Sequence, residues 1–308
     1  MLEHITVLKN EAVEALNIKP NGIYVDMTLG GGGHSSLILS KLKDGHLYSF
    51  DQDDYAITRA REVLDKVGSN YTIIKSNFKN IKSELNKLGV THIDGVLYDL
   101  GVSSFQFDDA ERGFSYRFDA PLDMRMNRDQ ELNAKTIINE WSVNDLITIF
   151  YKYGEEKFSK QIAFAIEKAR KTKTINTTFE LVDIIKSALP PKVLRQKGHP
   201  AKQVFQALRV AVNDELQVFE VSLNDALSML NKGGRAVVIT FQSLEDKICK
   251  HTFKEKSTLD IPFGVPMATK DKVADFSLIT RQAVLPSQDE LENNNRSHSA
   301  KMRVLERN

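Results

Sequence analysis

Between residues 23 and 100 the chain repeats one pattern: a short β-rich apolar run, then a segment of helical periodicity. Residues 23–28, 46–51, 71–76 and 93–100 read as strands. Residues 35–43, 54–67 and 80–88 read as the helices between them. Alternation at this spacing builds βαβ crossovers, and hence a parallel sheet covered by helices. The first crossover opens on an unusual turn. Asp26-Met-Thr-Leu-Gly-Gly-Gly-Gly-His34 puts four glycines directly after the first strand and before the first helix. Glycines at that place let the backbone approach a ligand closely at a helix N-terminus.

Two further acids fall at strand ends. Asp51 closes the second strand, where a carboxylate accepts hydrogen bonds from ribose hydroxyls. Asp99 closes the fourth, ahead of Leu-Gly-Val-Ser-Ser104. Ligands of open parallel sheets bind beyond these carboxyl ends, so Asp99 is placed to touch a cofactor or a substrate. The constellation signals a nucleoside-containing cofactor. A nucleotide P-loop is excluded, because no Gly-Lys-Ser/Thr follows the glycines. Gly30-x-Gly32 reaches Ser35 where the dinucleotide fingerprint wants a third small residue. Asp26 sits poorly beside a pyrophosphate and suits a cationic cofactor such as S-adenosylmethionine. The residues favour that cofactor over NAD. They also leave open a purely structural turn, with Asp26 and Asp51 as cap or turn residues.

Beyond residue 100 the alternation breaks. Residues 105–128 are rich in Asp, Arg, Phe and Gly and read as an ordered loop. Phe158, Ile162, Ala165 and Ala169 mark one helix face, and Thr177 or Thr178 caps another helix through Ser187. Pro190 to Pro200 reads as a basic loop. A long helix is expected from Gln203, with Val204, Leu208, Val212, Leu216, Phe219, Leu223, Leu227 and Leu230 on one stripe. Gly233-Gly234 would end it. A fifth strand over 235–241, a helix over 244–254 and final strands at 280–285 and 300–306 complete the reading. The fold class is α/β. One sheet domain over 1–105 and 207–308 is interrupted by a helical insertion over 106–206.

Charge separates the same parts. The 308 residues carry a net charge of +1, but residues 152–209 hold 13 Lys and Arg against 5 Asp and Glu. That stretch is therefore +8 and the remainder −7. Lys192, Arg195, Lys197, His199 and Lys202 form its densest loop. A polyanion contact and a set of solvated helix faces both fit. A single cysteine, Cys249, rules out an internal disulfide and fits a reducing cytosol. The seven histidines have no zinc-type spacing. No apolar run of about 18 residues exists to span a membrane. No basic-then-apolar leader opens the chain, so a cytoplasmic location is expected.

Motifs along nearly the whole chain carry a resemblance. They are His4-x-x-Val7-Leu8 with Glu11-Ala12-Val13, Gly30 through Ser35, and Asp99-Leu-Gly-Val-Ser-Ser104. To these add Asp108-Asp-Ala-Glu-Arg-Gly-Phe-Ser115, Pro121-Leu-Asp-Met-Arg-Met126 and Tyr153-Gly-Glu-Glu156. The last are Phe205-Gln-Ala-Leu-Arg209, Val212-Asn-Asp-Glu-Leu216, Ser243-Leu-Glu-Asp246 and Ser299-Ala-Lys-Met-Arg-Val304. Together they resemble the MraW-type 16S ribosomal RNA (cytosine-N4) methyltransferases. The resemblance implies a class I methyltransferase sheet with an inserted helical substrate domain. It implies S-adenosylmethionine as cofactor, contacted by Gly32, Gly33 and His34, with Asp51 on the ribose and Phe78 near the adenine. Asp99 and Gln106 would complete the site. The implied substrate is one decoding-centre cytidine of 16S rRNA in the assembled small subunit, with Lys192, Arg195, Lys197, His199 and Lys202 as RNA contacts. The oligomeric state stays open, a homodimer included. Phe105 stands where the family often has Pro, and Gln242 where it often has His. His199-Pro-Ala-Lys-Gln-Val also departs from the family pattern.

The exocyclic N4 of cytosine is a weak nucleophile, because its lone pair is delocalised into the ring. An acceptor for one N–H would localise that pair, and Asp99 is the candidate. Its alternative role is to hold the methionine end of the cofactor. Methylation at C5 would need a cysteine nucleophile near the fourth strand. Cys249 lies elsewhere and reads as a buried small apolar residue. Phe105, Phe107, Phe114, Tyr116 and Phe118 fit either a pocket for an unstacked base or loop packing. Arg112, Arg117, Arg125 and Arg128 fit either phosphate contacts or pairs with Asp108, Asp109, Asp119 and Asp123. Two other classes remain: a non-catalytic cofactor-binding assembly factor, and a dinucleotide-dependent oxidoreductase.

Overall fold

The computed structural model describes residues 5–102, 107–259 and 273–308. His4, Ser103, Ser104, Phe105 and Gln106 lie outside them. The chain divides into two compact units, Met1–Gly101 with Leu216–Asn308, and Val102–Glu215.

The first unit is built on a seven-stranded sheet of order β3-β2-β1-β4-β5-β7-β6. Its strands are β1 Ile23–Asp26, β2 His46–Asp51, β3 Tyr71–Lys75, β4 Ile93–Asp99, β5 Leu230–Thr240, β6 Phe276–Leu278 and β7 Lys301–Arg307. All neighbours pair in parallel except at β7, which runs against β5 and β6. This is the α/β methyltransferase-type sheet that the resemblance implies. Side-chain alternation gives each strand two apolar faces. Val96 and Tyr98 of β4 enter one core with Phe219, Leu223 and Phe253. Leu97 between them enters the other core, with Leu47, Ile38 and Val237. Helices α1 Lys9–Ala15, α2 Gly33–Lys41 and α3 Asp54–Leu64 cover this second face. Burial on both faces is the condition a parallel sheet requires. Helix α4, Ile81–Lys87, contributes Ile81 and Leu85 to the first core.

The second unit is helical. It holds α5 Ala134–Glu140, α6 Val143–Lys152, α7 Ser159–Arg170, α8 Thr178–Ala188, α9 Pro191–Leu194 and α10 Lys202–Asn213. Thr177 and Glu180 close a capping box on α8, as its sequence suggests. The buried face of α7 is Ser159, Ile162, Ala163 and Ile166, rotated from the expected Phe158–Ile162–Ala165–Ala169 line. Tyr153-Gly-Glu-Glu156 is a packing motif. A Cβ on Gly154 would stand 2.5 Å from the Gln203 carbonyl oxygen and 2.8 Å from that of Phe150.

Three further expectations are corrected. The long helix from Gln203 is two helices, α10 and α11 Glu215–Met229. Asp214 between them is left-handed at φ 51°, a conformation that short polar side chains tolerate best after glycine. The single apolar stripe is thereby divided. Val204, Leu208 and Val212 enter the helical unit's core, and Phe219, Leu223, Leu227 and Leu230 enter the sheet's. Gly233-Gly234 does not end a helix. It lies inside β5, where Ile93 pairs with Leu230 and Gly95 with Arg235, so the extra residues form a bulge with Gly233 at φ 73°. The strand expected at 280–285 is reduced to a Val284–Met302 bridge, and β6 forms earlier, at Phe276–Leu278. Helix α12, Ser243–Lys256, is tied to β7 by Arg303, whose guanidinium donates to both oxygens of Asp246 at 2.7 and 3.2 Å.

Candidate functional site

Three neighbouring strands, β2, β1 and β4, end side by side on Asp51, Asp26 and Asp99. The glycine loop rises from the middle one. Gly30 and Gly32 hold φ of 49° and 79°, the left-handed turns that carry the chain from β1 into α2. At Gly33 the limit is space, because a Cβ there would stand 1.9 Å from Thr6 Oγ1. Residues 5–8 therefore lie against the loop. Leu8 N–H donates to Glu290 Oε1 at 2.9 Å, and Asn294 Nδ2 donates to the Ile5 carbonyl at 3.1 Å. Both partners belong to α13, Gln288–Asn293, or follow it directly.

The three acids do different work. Asp26 is wholly buried beneath the loop. Ser35 Oγ donates to its Oδ2 at 2.7 Å and Thr28 N–H to its Oδ1 at 3.0 Å. Both oxygens are thus engaged by the protein. Burial raises its carboxyl above the ordinary range, opposed by these hydrogen bonds. Asp51 ties the loop to β2. Its Oδ2 accepts from Gly30 N–H at 3.0 Å, and its Oδ1 from Gln52 and Asp53 N–H at 2.7 and 2.9 Å. Burial nonetheless pushes its carboxyl up to about 6.

Asp99 is the least satisfied of the three. Its N–H donates to Thr28 Oγ1 at 2.7 Å, which joins the ends of β1 and β4. Its Oδ2 lies 3.6 Å from His34 Nδ1. Its Oδ1 is buried and has no hydrogen-bond partner among the described residues. Burial, followed by the charges of Asp26, Glu245 and Glu290, pushes its carboxyl up to about 8. His34, 3% exposed, does not cap α2. Its Nε2 lies 3.1 Å from the Val7 carbonyl oxygen. Phe78 follows β3 and meets Tyr98 edge to face, with ring centroids 5.9 Å apart. Glu245 at the start of α12 accepts from Phe241 N–H, Gln242 N–H and Gln242 Nε2. Cys249 is fully buried on that helix, and burial pushes its thiol up, so it offers no nucleophile.

The helical unit carries the basic residues. Lys192, Arg195, Lys197 and Lys202 are exposed and make no ion pair among the described residues. His199 differs from them. Its ring stacks on Tyr116 at 4.2 Å and 10°, and its Nδ1 accepts from Ala201 N–H. Burial, Lys186 and Arg117 hold its pKa below the ordinary value, so near pH 7 it is a neutral, packed ring rather than a cation. The arginines of the preceding loop separate as well. Arg112 is buried and donates to the Arg125 and Met126 carbonyls, while Arg125 pairs with both oxygens of Asp123. Arg117 and Arg128 are exposed. Phe114 is buried, and Phe118 is half-exposed.

Sequence reasoning missed Thr28, Glu245, Glu290 and Asn294 at the first site and Lys186 beside His199, and it weighed Arg117 only as a phosphate contact or an ion-pair partner. Val7 and Glu245 lie inside family motifs that carried no assigned role. Nothing near Glu290 or Asn294 in sequence signals a partner almost 290 residues away.

The profile of the MraW methylase family matches residues 1–308. Ribosomal RNA small subunit methyltransferase H of Exiguobacterium sibiricum is 55% identical over 308 residues, covering 100% of this chain and 99% of that protein. The protein of the same name from Limosilactobacillus fermentum is 57% identical over 307 residues, covering 99% and 98%. Among solved structures, an rRNA methylase from Streptococcus thermophilus aligns with TM-score 0.44 at 11% identity, over 99% of each chain.

Proposed function

Because this chain belongs to the MraW methylase family, we propose that it methylates the exocyclic N4 of one decoding-centre cytidine of 16S rRNA, in the small ribosomal subunit, using S-adenosylmethionine. The names of its two close relatives support an rRNA substrate of the small subunit. The observation that carries the reading is a left-handed glycine loop set between two strand-end carboxylates, Asp51 and Asp99, with a third, Asp26, beneath it.

The residues suit the cofactor. A cluster of acids favours a sulfonium and an ammonium over a pyrophosphate, and Asp99 Oδ1 has an unused acceptor site. Gly32, Gly33 and His34 would line it, Asp51 would hold the ribose and Phe78 would pack near the adenine. Gln106 would complete the site from outside the described residues. When bound, the cofactor supplies an electrophilic methyl group on sulfur. The chain must hold N4 in line with that methyl, about 3–3.5 Å away. Asp99 as carboxylate accepts one N4–H and localises the lone pair. Exposed Lys192, Arg195, Lys197 and Lys202 hold RNA phosphates, and His199 supports that loop through its stack on Tyr116. No helix among the described residues is long and apolar enough to cross a membrane.

The test is direct. The protein is mixed with methyl-labelled S-adenosylmethionine and small subunits lacking the modification, and the nucleosides are separated. Label is expected in N4-methylcytidine. No label, despite measured cofactor binding, would replace this reading with a binding-factor role. Full turnover by Asp99→Asn at normal cofactor affinity would remove Asp99 from the chemistry.

A further inference from the structure

The Val7 carbonyl can only accept a hydrogen bond, so His34 carries a proton on Nε2, 3.1 Å away. Nδ1 then faces Asp99 Oδ2 at 3.6 Å either as a lone pair or as N–H⁺. A lone pair and an ionised carboxylate oxygen would repel. One proton on the pair, either as imidazolium with carboxylate or as imidazole with carboxylic acid, removes the conflict. The other groups acting on Asp99 sharpen this. Asp26 lies at the end of β1, Glu245 on α12 and Glu290 on α13, and all three are acids. The remaining Asp99 oxygen, Oδ1, is buried and without a partner among the described residues.

We propose that the cofactor's ammonium group binds the Asp99 carboxylate and displaces the one proton held by the Asp99–His34 pair, so that about one proton leaves for each cofactor bound. The inference rests on the cofactor reading above and adds what that reading lacks, the charge state of the site before and after loading. The ammonium brings one positive charge, the O–H or N–H⁺ bond of the pair breaks, and the proton goes to buffer. Asp99 is left as a carboxylate, the form that accepts N4–H. Loading therefore leaves the acceptor ionised, whichever of the two residues held the proton. The titration belongs to the pair rather than to either residue.

The test compares two ligands by calorimetry on the full chain, in buffers of different ionisation enthalpy, between pH 6 and 9. S-Adenosylhomocysteine has the amino-acid end, whose amine stays protonated through most of this range. 5′-Methylthioadenosine keeps the nucleoside and lacks that end. S-Adenosylhomocysteine is expected to release about one proton near pH 7, and to bind about tenfold tighter per pH unit until affinity levels off near pH 8. Methylthioadenosine is expected to release none and to bind independently of pH. Asp99→Asn is expected to bind S-adenosylhomocysteine more weakly, with no proton release. Should that variant fail to fold, the two-ligand comparison in the native chain still decides. Equal, pH-independent binding heats for both ligands would overturn the inference and leave the cofactor reading standing. Absence of binding by either ligand at every pH would overturn the cofactor reading itself, and this inference with it.

Discussion

The two units handle charge in opposite ways. At the strand ends of the sheet unit, Asp26, Asp51 and Asp99 are crowded together, and burial raises each carboxyl. On the helical unit, Lys192, Arg195, Lys197 and Lys202 stand in solvent without ion pairs among the described residues. The first arrangement is costly, and backbone amides and hydroxyls hold it in place. Small ligands reward that rigidity, because geometry must be fixed before the ligand arrives. The second arrangement costs the fold almost nothing. Phosphates reward that openness, since affinity for nucleic acid comes from releasing counterions rather than from one fixed geometry. Substitutions in the first region should therefore disturb fold and cofactor together, and those in the second should change RNA binding alone.

The largest effect is expected at Gly33→Ala. A Cβ 1.9 Å from Thr6 Oγ1 must displace residues 5–8 or the loop, so affinity for S-adenosylhomocysteine should fall at least ~100-fold, on the order of 3 kcal/mol. Adding Thr6→Gly should recover much of it. No recovery would mean that the glycine serves the ligand and not the packing. Next is Asp51→Asn. Its carboxylate accepts three backbone N–H groups, and an amide nitrogen in place of one oxygen leaves an N–H without its acceptor. Loss of about 1–3 kcal/mol is expected in denaturant unfolding, together with weaker cofactor binding. An unchanged unfolding midpoint would show that the loop does not depend on Asp51.

Removing all four lysine and arginine charges at 192, 195, 197 and 202 should leave stability within about 0.5 kcal/mol. Binding to small subunits should weaken, and the slope of log K against log salt should flatten by roughly 0.7–0.9 for each phosphate no longer neutralised. An unchanged slope would assign these residues to ordinary solvated surface. The smallest effect concerns pH. Burial and the neighbouring acids push the Asp99 carboxyl up to about 8, far above an unperturbed one, so the native state holds an extra proton on the Asp99–His34 pair. Its contribution to stability is present at low pH and lost as pH rises toward and through about 8. Asp99→Asn should therefore raise the unliganded melting temperature at pH 8.5 more than at pH 5. An equal shift at both would show that Asp99 is not held protonated.

The sheet was legible because its cause is local. Alternating apolar runs fix strands, and acids that follow such runs fall at strand ends whatever the rest of the chain does. The glycine run was legible for the same reason, as was a helix cap at Thr177 or Thr178, of which the fold uses Thr177. The errors arose where local pattern and distant packing disagree. The stripe from Val204 to Leu230 has helical period throughout, yet one left-handed residue, Asp214, sends its halves into different cores. Gly233-Gly234 looks like a helix stop and instead lies in the register shift where β5 pairs with β4.

At the site, what the sequence determined by itself was which side chains reach the strand ends, since strand period and chain order suffice for that. Tertiary structure decided their state. The Val7 carbonyl fixes the His34 proton, Glu290 and Asn294 hold residues 5–8 against the glycines, and Asp26, Glu245 and Glu290 surround Asp99 with negative charge. These contacts join residues up to 289 positions apart. Burial and electrostatic fields are properties of the assembled neighbourhood, and no local pattern encodes them.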